Sequence, residues 1–221
     1  RRTLLAVGGQ TSTSVRALVL KNLWRTYAIT DTTQSDVASL LAVVATLVDS
    51  PAETTIQVAT GALSFLQTLL GASLVARIGI SHEAASFAVE TLSSLLESTL
   101  FDEVSYAAHA ANMTKTIKLV GALQLDGAFD GVGYGTASTS ALGLDMYSYR
   151  STAGSVGALG GLHLATGGSS DSFTSVSFGN EFFEGLDDAE MDLAVATIGS
   201  NMLARALESA EGTAEALASR S

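Results

Sequence analysis

Residues 138–149 read Ser-Thr-Ser-Ala-Leu-Gly-Leu-Asp-Met-Tyr-Ser-Tyr, and their period decides how the chain divides. In an extended chain, Ser140, Leu142, Leu144, Met146 and Ser148 fall on one side. Ala141, Gly143, Asp145, Tyr147 and Tyr149 fall on the other. The two-residue alternation predicts one strand over 138–149. Three more runs share that pattern: Thr-Ile-Lys-Leu-Val at 116–120, Phe-Thr-Ser-Val-Ser-Phe at 173–178, and Met-Asp-Leu-Ala-Val-Ala-Thr-Ile at 191–198. Clusters of Gly and Asp separate the runs, as turns require. Short strands divided by turns predict a small antiparallel β-sandwich over 111–203.

Before residue 110 the apolar spacing is helical. A first helix is expected over 14–28, with Val15, Leu18, Leu23 and Tyr27 among its apolar positions. A second follows Ser35 as N-cap, with Asp36 in the first turn, where the helix dipole favours a carboxylate. Val37, Leu40, Leu41, Val44 and Val48 form its apolar face, and Asp49-Ser50-Pro51 ends it. A third begins near Pro51, buries Ile56, Ala59, Leu63, Leu66 and Leu70, and places Gly71 as its C-terminal cap. A fourth follows Ser81, with Phe87, Val89, Leu92, Leu95 and Leu96 as its stripe. Short connections between short helices predict antiparallel neighbours. The expected class is therefore α+β. Residues 1–110 form an N-terminal antiparallel helical subdomain and 111–203 the β-sandwich. Residues 204–221, rich in Ala and Glu, form a C-terminal helical tail or linker.

Composition removes several function classes. The formal net charge is −11, from 22 acidic and 11 basic residues, so nucleic acid and anionic membrane surfaces would be repelled. The longest apolar stretch, 40–48, is broken at Thr46, and no segment reads as a membrane span. Direct membrane contact is not expected from this segment. No cysteine is present, which excludes disulfides, thiolate metal sites and Cys nucleophiles. Hydrophobic residues make up 47% of the chain, too many for a disordered polymer. They must cover a core or a partner. The sequence opens Arg1-Arg2-Thr3 without Met or a signal peptide, and it is expected to be a piece of a longer protein.

Few residues look equipped for chemistry. His82, His109 and His163 lie in no nucleophile elbow, and none has a recognisable partner in sequence. The glycines of 131–135, Gly-Val-Gly-Tyr-Gly, precede strand pattern rather than a helix, so a turn is expected there and not a phosphate loop. Glu181, Glu184, Asp187, Asp188, Glu190 and Asp192 have the oxygen ligands that calcium prefers. Their spacing does not match an EF-hand loop, and a solvated acidic turn is the preferred reading. No metal and no cofactor are expected. Asn112-Met113-Thr114 is a glycosylation sequon near the junction of the two halves, where an N-glycan at Asn112 would be accessible. Leu20, Leu23 and Trp24 on the first helix are the candidate interface, weighed against a plain core role for the tryptophan.

The order of elements, helices first and strands after, resembles the GAIN-type or REJ-associated extracellular region of polycystin-like cell-surface proteins. The likeness rests on Thr-Ser-Ala-Leu-Gly-Leu-Asp-Met-Tyr-Ser-Tyr at 139–149, Ser-Val-Ser-Phe-Gly-Asn-Glu-Phe-Phe-Glu-Gly-Leu at 175–186, and Asp-Leu-Ala-Val-Ala-Thr-Ile-Gly-Ser-Asn at 192–201. It spans about 35–203 and consists of apolar patterns. The family often carries Asn-Pro-Phe where this chain has Asn201-Met202-Leu203, and its cysteine-bearing cleavage motif is absent. The resemblance implies a helical subdomain and a β-sandwich leading to a cleavage site and a membrane-anchored parent. The family's autoproteolysis uses His-Leu followed by Ser or Thr. Here His163-Leu164 is followed by Ala165, which has no hydroxyl to attack the preceding carbonyl, so no cleavage is expected.

These readings imply a non-catalytic structural or interaction module of a larger surface protein, extracellular and possible for a cilium or flagellum. Its partners would be other protein domains or subunits. Two alternatives remain: a subunit of an extracellular filament or coat, and a small Ser/His/Asp hydrolase assembled across the two halves.

Overall fold

A computed structural model describes residues 2–28, 33–50, 53–97, 103–129, 135–141, 144–152, 162–165, 173–176 and 190–198. Five helices come first: α1 (Arg2–Tyr27), α2 (Gln34–Val48), α3 (Ile56–Val75), α4 (His82–Glu97) and α5 (Glu103–Phe129). Five strands follow: β1 (Gly135–Ala141), β2 (Leu144–Thr152), β3 (Leu162–Ala165), β4 (Phe173–Val176) and β5 (Glu190–Ile198). The class is α+β, mostly helical, with a small antiparallel sheet. The tail at 204–221 and the glycine run before residue 135 lie outside the described residues.

The helix ends are set by hydroxyl caps. Thr33, not Ser35, caps α2. Its side chain accepts from the Asp36 amide while the Asp36 carboxylate accepts from the Thr33 amide at 3.0 Å, a reciprocal capping box. Thr55 caps α3, so that helix starts five residues after Pro51 rather than beside it. Ser81 caps α4 as expected, its Oγ accepting from Ala84 at 3.2 Å.

Gly71 is interior to α3, which runs one more turn. The Ile78 amide donates to the Ser73 carbonyl at 2.8 Å and the Arg77 amide to Leu74 at 3.1 Å. This pair of bonds is a Schellman ending, and Arg77 holds the left-handed position at φ 55° that glycine usually takes.

Two long segments depart from their sequence pattern, one in length and apolarity and one in type. Helix α3 carries no charge over 20 residues and is long and apolar enough, by length and composition, to cross a membrane. The sequence reading took 40–48, broken at Thr46, as the longest apolar stretch, although an uncharged residue does not disqualify a span. Half of the apolar window is buried inside the protein, against α1, α2, α4 and α5. Helix α5 takes in the expected strand at 116–120 and carries the helical region past residue 110 to Phe129. Its buried positions Met113, Thr116, Ile117, Val120 and Leu123 repeat at three and four residues. A five-residue window showed only the accidental alternation within that stripe.

The run 138–149 is a pair of strands rather than one. β1 and β2 pair antiparallel from Gly135↔Arg150 to Ala141↔Leu144. Cross-strand partners share a face, so Ala137, Thr139 and Ala141 lie on the same side as Leu144, Met146 and Ser148. The single-strand reading therefore assigned the β1 residues to the wrong side. β2 pairs antiparallel with β5, giving the order β1-β2-β5, while β3 and β4 form a separate two-stranded sheet.

Strand β2 buries Leu144, Met146, Ser148 and Arg150 in alternation. The sheet packs on α4 and α5. Its buried face thus meets helices, where a sandwich would have placed a second sheet. Leu144 and Met146 join the same apolar cluster as Phe65, Leu66 and Leu92. The α3–α4 connection also docks on α5, with the Ile80 amide donating to the Leu123 carbonyl at 3.0 Å.

Candidate functional site

The first helix has two unlike faces. Leu20 and Leu23, expected at an interface, are each only 8% exposed and pack into the protein's own core. Trp24 is half-buried, its ring T-shaped to Phe65 with centroids 5.0 Å apart at 89°. Tyr27 meets the same phenylalanine from 5.9 Å. Self-burial therefore corrects the assignment of Leu20 and Leu23, and Trp24 is shared between core and surface. Among the described side chains of α1, the large apolar residues left exposed are Val15 and Leu18, at 54% and 56%. By helical rotation they stand opposite the stripe of Leu20, Leu23 and Tyr27.

Beside Trp24 runs a shallow groove of about 290 Å³ between α1 and the start of α3. Ala17, Leu20, Lys21 and Trp24 form one wall, and Gln57 and Val58 the other. Lys21 supplies the charge at its rim. The helix is held in place by Arg16, which donates to the Leu47 carbonyl at 2.7 Å and to Glu53 at 2.9 Å, with Asp49 at 3.5 Å. A cation at the C-terminal end of α2 complements that helix's dipole.

A second polar constellation lies where α5 meets the sheet. The Arg150 guanidinium donates through Nε and Nη2 to both oxygens of Asp192, at 2.7 and 2.8 Å, and through Nη2 to Asp126 at 2.7 Å. Its side chain is 6% exposed. The pKa of Arg150 is pushed up chiefly by hydrogen bonding to Asp192. Partial burial opposes that shift, and Asp126 adds to it. Nearby, Gln124 of α5 donates to Thr139 of β1 at 2.7 Å. Gln124 Oε1 and Ser148 Oγ are buried without a partner. The sequence reading missed this cluster. The available signal was one arginine in a strand whose other inward residues are apolar or small.

The remaining candidates are scattered. Asn112 is exposed on α5, and Thr114 of its sequon is exposed as well. The Asn112 carbonyl accepts from Gln67 at 2.7 Å and from Thr116 at 2.8 Å. His82 is exposed in the first turn of α4. His109 does have a neighbour: Thr60 Oγ1 lies 3.5 Å from its Nε2. His163, Leu164 and Ala165 fall within β3. Of the acidic run, Glu190 and Asp192 are in β5, and residues 181–188 lie outside the described residues. Among the described residues no group of three His, Asp or Glu side chains could hold a metal ion. No protein-family model matches the chain, and no curated protein matches it.

Proposed function

We propose that this chain is a non-catalytic assembly module of a larger extracellular or cell-surface protein, joined to neighbouring domains or subunits through α1. The observation that carries this reading is the outward face of α1. Val15 and Leu18 stay more than half exposed although the same helix buries Leu20 and Leu23 and is anchored by Arg16. Exposed aliphatic side chains one turn apart on a fixed helix suit a helix-to-helix or helix-to-sheet contact. The likeness to polycystin-like surface proteins supports the extracellular setting. The exposed sequon is compatible with a glycan at Asn112.

The test uses the parent protein in its own cells, with a photo-crosslinking residue at position 18 and a control at the exposed position 83. Crosslinks from position 18 to another segment of the parent, or to a second copy, support the reading. Equal yields from both positions would overturn it. Loss of a glycosidase-sensitive mass shift in Asn112→Gln reports on the compartment. A parent with no such shift removes the glycan from the proposal.

A further inference from the structure

The strongest lead outside α1 is the seam between α5 and the sheet, because its two ends are chemically different. At one end, Leu144 and Met146 are fully buried in the main apolar cluster. Toward the other, Ser148 and Arg150 are buried polar residues on the same face, and Thr139 sits across from Met146. Among the described residues, the largest fully buried side chains come mainly from the helical region, and the sheet adds only Leu144 and Met146. Burying polar groups costs stability unless each finds a partner. Here Gln124 Oε1 and Ser148 Oγ find none. Among the described residues, the sheet's fully buried apolar share of the seam rests on Leu144 and Met146, and desolvation of the unpartnered polar atoms offsets part of it.

The ion pairs of the seam are also unequal in what they join. Arg150 and Asp192 are register partners on adjacent strands, so their bidentate pair is internal to the sheet. Asp126 belongs to α5, and its bond to Arg150 crosses the seam. Parting the sheet from the helices breaks the Asp126 bond and leaves the guanidinium still paired. That lowers the cost of opening, since an unpaired buried charge is the expensive outcome.

We propose that the β1-β2-β5 sheet is a separable layer, latched to the helices by Asp126 on Arg150, and that it undocks as a unit while α2, α3 and α4 stay folded. Undocking presents Leu144 and Met146 to solvent, so the open form offers an apolar strip that the closed form hides. This is independent of the role proposed for α1.

Hydrogen exchange on the full chain tests it. Stripped of the helices that cover its apolar face, a three-stranded sheet is marginal and its ladder opens, so in the wild type amides of β1, β2 and β5 share one opening equilibrium, at least tenfold more open than that of α3. Asp126→Asn raises exchange throughout the sheet by about tenfold and leaves α3 unchanged. The effect is no larger because the Asp126 side chain is 30% exposed and water screens the pair. Asp145→Asn removes the same charge from β2 away from the latch and has no such effect. Sheet and α3 amides opening together in the wild type would overturn the proposal, even if the variant failed to fold. So would an Asp126→Asn variant that speeds α3 and the sheet equally.

Discussion

Helix α3 and strand β2 hold the same place in their two regions, each flanked by neighbours on both sides, yet they bury different chemistry. α3 puts Val58, Ala59, Leu63, Phe65, Leu66, Leu69 and Leu70 inward, with Ser73 the lone polar member, bonded to the Leu69 carbonyl at 2.9 Å. β2 puts in Leu144 and Met146, then Ser148 and Arg150. The first list is stabilised by area removed from water and by close packing. The second depends on hydrogen bonds and charge pairing, whose net contributions are smaller and conditional on every partner being present. The helical region should therefore set the stability of the whole chain. The strand region should respond to single polar changes locally.

The largest expected effect tests the first half of that contrast. Phe65 is fully buried and makes T-shaped contacts with both Trp24 and Tyr27. Phe65→Ala leaves a cavity under two aromatic rings and should cost about 3–5 kcal/mol in chemical denaturation. Helix and sheet signals should be lost together. A cost below about 1 kcal/mol would mean that the apolar core is not what holds α1 to α3.

The next effect concerns a backbone contact. A Cβ added at Gly127 of α5 would collide with the Ile80 carbonyl, and one at Gly79 with the Gly127 amide. Gly→Ala inside a helix ordinarily stabilises by about 1 kcal/mol. Here the colliding atoms are backbone and cannot rotate away, so overpacking should win, and Gly127→Ala should destabilise by about 1–3 kcal/mol. A gain in thermal stability would show that the α3–α4 connection does not rest on α5.

Much of the helical region was legible because its signals are local. Ser81 is the cap of α4, and the spacing of Val37, Leu41, Val44 and Val48 is the buried face of α2. Thr33 was passed over for Ser35 although the Thr-x-x-Asp spacing was there to read. α5 was misread because it is apolar on several sides and its stripe includes Thr116 and Gln124, so a short window sees alternation and a long one sees a helix. Cross-strand parity was invisible for another reason: which side Thr139 occupies depends on where the chain reverses. The latch at Arg150 was the least legible. It joins residues 24 and 42 positions apart, and nothing in local pattern brings Asp126 and Asp192 to one guanidinium.

A smaller effect should raise stability. Arg77 is exposed and holds φ 55°, a conformation that costs an L-residue about 1–2 kcal/mol. Glycine removes that strain but loses more freedom on folding. Arg77→Gly should therefore stabilise the protein by about 0.5–1 kcal/mol, read from the denaturation midpoint. The gain should appear in the helical region. If the sheet alone gained protection, the Schellman ending of α3 would be coupled to the strands, and the separation of the two regions would fail.

The smallest effect is a pH dependence at the edge of the helical region, where the core itself contributes no charge. The Asp36 carboxylate is held below its ordinary value of 3.8, first by the hydrogen bond from the Thr33 side chain and then by that from the Thr33 backbone. A carboxyl with a depressed pKa in the folded state binds its proton more readily when unfolded. Its contribution is therefore complete above the ordinary value and lost as the pH falls through the folded one. Asp36→Asn removes the titration and the favourable charge in the first turn of α2. At neutral pH the wild type should melt slightly above the variant. The gap should begin to close as the pH reaches 3.8 and vanish below the depressed value of the folded protein. Residues shared by the two proteins titrate alike and cancel in the difference. A gap that persists unchanged at the acid end would mean that Asp36 supports α2 by shape and not by charge. The helical region would then carry no pH-sensitive term at this cap.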